Sequence, residues 1–121
     1  MKQVLIVDDS AVIRKIARRI LEGMRFEIIE AEDGRKALAT CGYQMPDAIL
    51  LDWNMPIMDG FEFLRELRKL PDGAKPKVVF CTTENDVTQI ARALHAGADE
   101  YIMKPFDKQI MVSKFEEIGL Y

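Results

Sequence analysis

The sequence predicts an α/β domain: an open sheet of five parallel strands with helices on both faces. Two observations predict it. Short apolar runs such as Val4-Leu5-Ile6-Val7 recur without internal alternation, the pattern of strands buried on both faces. Between them lie segments whose apolar residues follow helical spacing, and the two kinds of segment alternate five times. Strands separated by whole helices are joined by crossovers, which makes them parallel neighbours in one sheet.

The elements follow in order. Gln3 to Val7 reads as the first strand. Ser10 is placed to cap a helix whose apolar positions are Val12, Ile13, Ile16, Ala17, Ile20 and Leu21, with Gly23 suited to its end. Arg25 to Glu30, containing Phe26, Ile28 and Ile29, reads as the second strand. A short helix is expected from about Asp33 to Cys41. Pro46 opens the third unit, and Ala48 to Leu51 forms its strand. After a loop holding Pro56 and Gly60, residues Phe61, Leu64, Leu67 and Leu70 mark the third helix, which Pro71-Asp72-Gly73 breaks. Val78 to Cys81 is the fourth strand. A helix from about Glu84 to Ala96 stops at Gly97, Glu100 to Met103 is the fifth strand, and the last helix runs from about Asp107 to Ile118.

Composition narrows the function classes. The chain has 121 residues, enough for one core, and neither linker, repeat nor second module is visible. One domain over residues 1–121 with no output domain is therefore expected. The apolar runs reach only four to five residues, which excludes a membrane-spanning helix, and no leader segment is recognisable. A net charge of −3 argues against a general attraction to nucleic acid or anionic lipid. Cys41 and Cys81 stand far apart, as free thiols would in a reducing compartment, so a cytoplasmic location is expected. Four basic residues, Arg14, Lys15, Arg18 and Arg19, give the first helix a charged side. His95 reads as polar surface near a helix end, and the methionines as core filler.

The chemistry lies at the strand ends. Asp8 and Asp9 follow the first strand, Asp52 the third, Thr82 and Thr83 the fourth, and Lys104 the fifth. In a parallel sheet these ends share one edge, where α/β proteins bind ligands at the reversal of strand order. The order 2-1-3-4-5 is taken over from doubly wound flavodoxin-like sheets rather than read from the residues. Given that order, Asp8, Asp9 and Asp52 converge. Taken singly, each is an ordinary turn residue or helix cap. Together they repel unless a cation neutralises them. An all-oxygen set suits a hard divalent ion, Mg²⁺ or Mn²⁺. With an ammonium group and a hydroxyl added, the set is equipped for phosphoryl transfer, with an Asp as nucleophile.

Val7-Asp8-Asp9-Ser10, Asp52-Trp53-Asn54-Met55-Pro56 with Asp59-Gly60, Thr82-Thr83-Glu84 and Lys104-Pro105-Phe106 together resemble the response-regulator receiver family, and particularly its single-domain chemotaxis members. The resemblance covers essentially the whole chain. It implies that Asp52 is the phosphoacceptor and that Asp9, Asp52 and the backbone carbonyl of Asn54 are Mg²⁺ ligands. Asp8 would hold metal-bound water. Thr82 would bond a phosphoryl oxygen, Lys104 would pair with it, and Tyr101 would rotate inward with Thr82. Lys104-Pro105 resembles the family's cis peptide. Trp53, Asn54, Thr83 and Glu84 fall where the family tunes hydrolysis, although Thr83 is larger than the usual small residue there.

The implied activity is that of a two-component switch. A sensor histidine kinase or phosphotransfer protein would donate the phosphoryl group, docking on the basic first helix. A downstream protein would read the face of the fourth helix, fifth strand and fifth helix, bordered by Ile90 and Lys114. Beyond its own phosphorylation and dephosphorylation no enzymatic turnover is expected. Three alternatives remain: a phosphorelay intermediate using the same chemistry, a Mg²⁺-dependent phosphatase, for which the expected Asp-x-Asp and a cap domain are missing, and a phosphorylation-independent scaffold.

Overall fold

The computed structural model describes residues 1–83 and 87–121. Five strands alternate with five helices: β1 (Gln3–Val7), α1 (Ala11–Gly23), β2 (Glu27–Ala31), α2 (Gly34–Tyr43), β3 (Ala48–Asp52), α3 (Gly60–Lys69), β4 (Lys77–Thr82), α4 (Val87–His95), β5 (Glu100–Met103) and α5 (Lys108–Glu117). The strands form one sheet in the order β2-β1-β3-β4-β5, every pair parallel.

The uninterrupted apolar runs have a direct structural cause. In β1 and β3 all five residues are buried, because successive side chains enter opposite cores. Leu5, Val7, Ile49, Leu51, Val78 and Phe80 face α2, α3 and α4. Val4, Ile6, Leu50, Val79, Cys81 and Ile102 face α1 and α5. Each fully buried Leu, Ile or Phe contributes about 1.5–3 kcal/mol of transfer free energy, so these two layers carry most of the fold's stability. Both cysteines are free and buried, and burial raises both thiol pKa values, that of Cys41 to about 11. No helix among the described residues is long and apolar enough to cross a membrane.

Helix starts follow the sequence closely. Ser10, Asp33, Asp59 and Asp107 each accept a hydrogen bond from the backbone N–H three residues on, satisfying a donor that the first turn leaves open. Ends and faces depart from it in three places. First, α1 ends at Gly23 as expected, but the left-handed residue after the helix is Arg25 (φ 69°) and not the glycine. Second, β2 starts two residues later than expected and includes Ala31, while α2 extends to Tyr43. Third, Val12 and Ile16, assigned by spacing to the buried side of α1, are 67 % and 45 % exposed. Only Ala17 and Leu21 of α1 are fully buried. The stripe of α1 that is buried is narrower than its apolar periodicity offers.

The loop from β3 to α3 turns tightly beneath the sheet edge. The Gly60 N–H donates to the Trp53 carbonyl oxygen at 3.0 Å. A Cβ on Gly60 would stand 2.5 Å from the Asp52 carbonyl oxygen and 3.0 Å from the Trp53 Cα. These neighbours are backbone and cannot yield without moving Asp52. Gly60→Ala is therefore expected to destabilise the protein by about 1–3 kcal/mol in urea melts, the range for overpacking. Wild-type stability in that variant would show that the backbone gives way freely.

Candidate functional site

Three strand ends meet at one edge of the sheet. Asp8 follows β1, Asp52 ends β3 in the neighbouring position, and Lys104 follows β5. Strand β4 lies between β3 and β5, so the lysine must reach across its end. The backbone directs it there: the Lys104 N–H donates to the Thr82 carbonyl oxygen at 2.9 Å. The Lys104–Pro105 peptide bond is cis. The long side chain does the rest. Nζ donates to Asp8 Oδ2 at 2.8 Å and to Asp52 Oδ1 at 3.0 Å.

Asp8 is fixed from other sides as well. Its Oδ1 accepts the Ser10 N–H at 2.9 Å, and its carbonyl oxygen accepts Arg14 Nη1 at 2.6 Å. Arg14 also pairs with Glu30 at 2.9 Å, and Arg18 pairs with Glu30 at 2.6 Å and with Glu22 at 3.3 Å. This corrects the expectation of a basic side formed by four residues. Arg14 and Arg18 are tied down against β2, and Arg14 braces the loop that holds Asp8. Lys15 and Arg19 remain without an ion pair among the described residues. The role of Arg14 could have been found in the sequence only by knowing that Glu30 lies on the neighbouring strand β2.

Asp8, Asp9 and Asp52 each offer a carboxylate oxygen, and these oxygens lie within 4.8 Å of one another. Asp8 and Asp52 are buried, whereas Asp9 is exposed to solvent. Burial, then the negative charge of Asp8, pushes the Asp52 carboxyl up to about 6, with Lys104 opposing and Asp9 adding a smaller rise. The Lys104 ammonium is itself partly buried, which works against its charge, but its hydrogen bonds to Asp8 and Asp52 outweigh that and raise its pKa. One ammonium thus incompletely compensates three acids. An oxygen-only donor set with surplus negative charge fits a hard divalent cation such as Mg²⁺.

The remaining residues fall around this centre. Thr82 ends β4 and is buried, and Thr83 beside it is exposed. Asn54 is exposed at the mouth of the site. Trp53 points the other way, into the core, where it packs on Phe80 at 5.2 Å and on Phe61 at 5.7 Å between ring centroids. Phe80 in turn meets Tyr101 at 6.1 Å, and Lys114 Nζ lies 4.3 Å from the centre of the Tyr101 ring. Tyr101 is half-buried on β5. Ile90 packs against the same core layer, and His95 is exposed near the end of α4, as the sequence suggested. Glu84 lies outside the described residues.

The raised Asp52 pKa has a consequence for stability. A carboxyl that titrates at about 6 in the fold rather than near 3.8 holds its proton more tightly when folded. Its contribution to stability is present below about 3.8 and is lost as pH rises through about 6. In metal-free buffer, Asp52→Asn is therefore expected to stabilise the protein at pH 7, by on the order of 3 kcal/mol, and to change little at pH 4. Thermal melts in chelator at both pH values check this, and equal effects at the two would contradict the cause given.

Comparison with known proteins agrees with this geometry. The response regulator receiver domain family matches residues 4–116. The chemotaxis protein CheY of Halobacterium salinarum is 39 % identical over 97 % of this chain and 96 % of its own. The transcriptional regulators among the relatives, such as KdpE of Escherichia coli, are spanned over only about half of their length. Among solved structures, the Vibrio cholerae chemotaxis protein CheY4 superposes with a TM-score of 0.92 at 32 % identity, covering 98 % of both chains. The receiver domain of a Pseudomonas aeruginosa sensor histidine kinase, with a magnesium ion coordinated in its active-site cleft, superposes at 0.85 with 26 % identity over 93 % of this chain and 92 % of that one. With its sheet order, its acids at neighbouring strand ends and the family match along nearly its whole length, this chain belongs to the response regulator receiver domain family and is CheY-like.

Proposed function

We propose that this protein is a phosphorylation-driven binding switch in which Asp52 accepts a phosphoryl group from a phosphohistidine of a sensor histidine kinase or phosphotransfer protein. The observation that carries this reading is the convergence of Asp8, Asp52 and Lys104 within hydrogen-bond reach across three strand ends. Asp52 attacks phosphorus in line, and the histidine nitrogen leaves with the electron pair of the broken P–N bond. Asp9, Asp52 and the Asn54 carbonyl would hold Mg²⁺ or Mn²⁺, with Asp8 beside them, and the bound ion supplies charge neutralisation for the transferred group. Lys104 exchanges part of its contact with Asp52 for a phosphoryl oxygen. The ammonium already stands where the new negative charge arrives, so little reorganisation is needed.

The aspartyl phosphate carries up to about two negative charges. Thr82 closes on it, and Tyr101 follows into the space beside Phe80. Lys114 lies over the Tyr101 ring, so that movement redraws the surface of α4, β5 and α5 offered to a downstream protein. Asn54, Thr83, Trp53 and Glu84 set how quickly water reaches the phosphoryl group and resets the switch. Receiver domains have no turnover reaction beyond their own phosphorylation and dephosphorylation. The likeness to chemotaxis proteins supports a chemotaxis-type pathway, in the cytoplasm.

The phosphodonor is read as docking on α1. There Val12, Ile16 and Ile20 form an apolar strip flanked by Lys15 and Arg19, a surface suited to an apolar helix with acidic flanks. Asp52→Asn is expected to abolish phosphate incorporation from acetyl phosphate with Mg²⁺, and retained incorporation would overturn the assignment. Reversing Lys15 and Arg19 to Glu is expected to slow transfer from the kinase at least about tenfold, a loss of about 1.4 kcal/mol, while sparing acetyl phosphate. Equal slowing of both would count against docking on α1. Phosphate passed back onto a histidine phosphotransfer protein faster than it is lost to water would favour a phosphorelay role instead.

A further inference from the structure

A second surface of the molecule has the wrong charge for the chain that carries it. The net charge is −3, yet the groove between α3 and α4, about 300 Å³ in volume, is rimmed by Arg65, Arg68, Lys69, Arg92 and His95. Its floor is Phe61 and the small Ala96. The Arg92 guanidinium lies 4.2 Å from the centre of the Phe61 ring, and that of Arg65 lies 5.8 Å from it. Arg68 is committed to the fold, donating to the carbonyl oxygens of Gly73, Pro76 and Gly97 and pairing with Asp99. Lys69 makes one exposed pair with Glu66 at 3.2 Å. Arg65, Arg92 and His95 have no carboxylate partner among the described residues.

Stacking on an aromatic ring uses the face of a guanidinium and leaves its N–H fork directed outward, already oriented for a carboxylate. We propose that the α3–α4 groove binds an acidic peptide segment of a partner protein, with carboxylates on Arg65 and Arg92 and an apolar side chain against Ala96. The charge of the groove selects the acidic partner. Its apolar floor and the spread of cations over two helices favour a chain with several carboxylates and an apolar anchor over a small free anion. The Phe61 ring is already engaged by Arg92, Arg65 and Trp53, so the recognition elements are N–H forks and not an open ring face for a nucleobase. The site is separate from the strip on α1 and from the acidic centre, although Trp53, next in the chain to Asp52, packs against its floor.

That packing supplies a readout. Trp53 is the chain's single tryptophan, and its ring touches Phe61 at a centroid distance of 5.7 Å. The full chain is titrated with a fluorescein-labelled synthetic peptide of alternating Glu and Leu, with its Gln-for-Glu counterpart as control. Binding by anisotropy, unlabelled-peptide perturbation of Trp53 emission and weakening with added salt are expected. Arg65→Glu and Arg92→Glu are each expected to weaken binding at least about tenfold, with Arg92→Gln intermediate, while phosphorylation by acetyl phosphate stays at the wild-type level. Arg92→Gln keeps much of the side-chain volume without the charge, so it still decides the matter if a reversal variant folds poorly. The proposal is overturned if the peptide does not bind the wild-type chain, if the Arg92 variants bind it equally well, or if ATP or anionic vesicles displace it as effectively as unlabelled peptide.

Discussion

Three carboxylates gathered at one sheet edge, with a single ammonium group between two of them, is the constraint on which the site depends. Lys104 holds Asp8 and Asp52 together, yet its one charge leaves the cluster negative. The fold tolerates this only because the acids are anchored in backbone geometry. Asp8 accepts from the Ser10 N–H and is braced through Arg14, and the peptide after Asp52 is tied into β4, where the Trp53 N–H donates to the Cys81 carbonyl oxygen. A site built this way stores unfavourable electrostatics that an incoming cation or a change of charge on Asp52 relieves or redistributes.

Behind the acids stands a continuous aromatic layer. Tyr101, Phe80, Trp53 and Phe61 touch in sequence beneath the sheet edge, and each end is covered by a cation, Lys114 over Tyr101 and Arg92 over Phe61. Trp53 is the member adjacent in the chain to Asp52. Packed rings transmit displacement because a close-packed interior has few empty places to absorb it. The layer therefore gives a contiguous physical path from the region of Asp52 to two surfaces, the β5–α5 side and the α3–α4 groove.

Gly60 shows how tightly local backbone and site are interlocked. The turn from Trp53 to Gly60 closes so near to the Asp52 carbonyl that no side chain fits, and Asp59 immediately starts α3 by capping it. The same few residues end a strand, carry the acid, make the turn and begin the next helix. Changes in this loop therefore alter the site through its position, without touching its chemistry.

The sequence by itself determined the alternation of strands and helices, the parallel sheet, the cap at Ser10, the start of the last helix near Asp107, and the acids, hydroxyl and lysine at the strand ends. These are local signals: periodicity, capping residues and position after an apolar run are written in neighbouring residues. The order of strands came only through resemblance, and the tertiary structure alone decided what depends on distant packing. It left Val12 and Ile16 exposed, because how much of a helix's apolar stripe is covered depends on what the rest of the chain packs against it. It drew Arg14 and Arg18 to Glu30, a pairing across separate elements that spacing along one helix does not encode. It also brought Arg92 of α4 over Phe61 of α3, since the register of one helix against another is fixed by side chains interlocking across the whole layer.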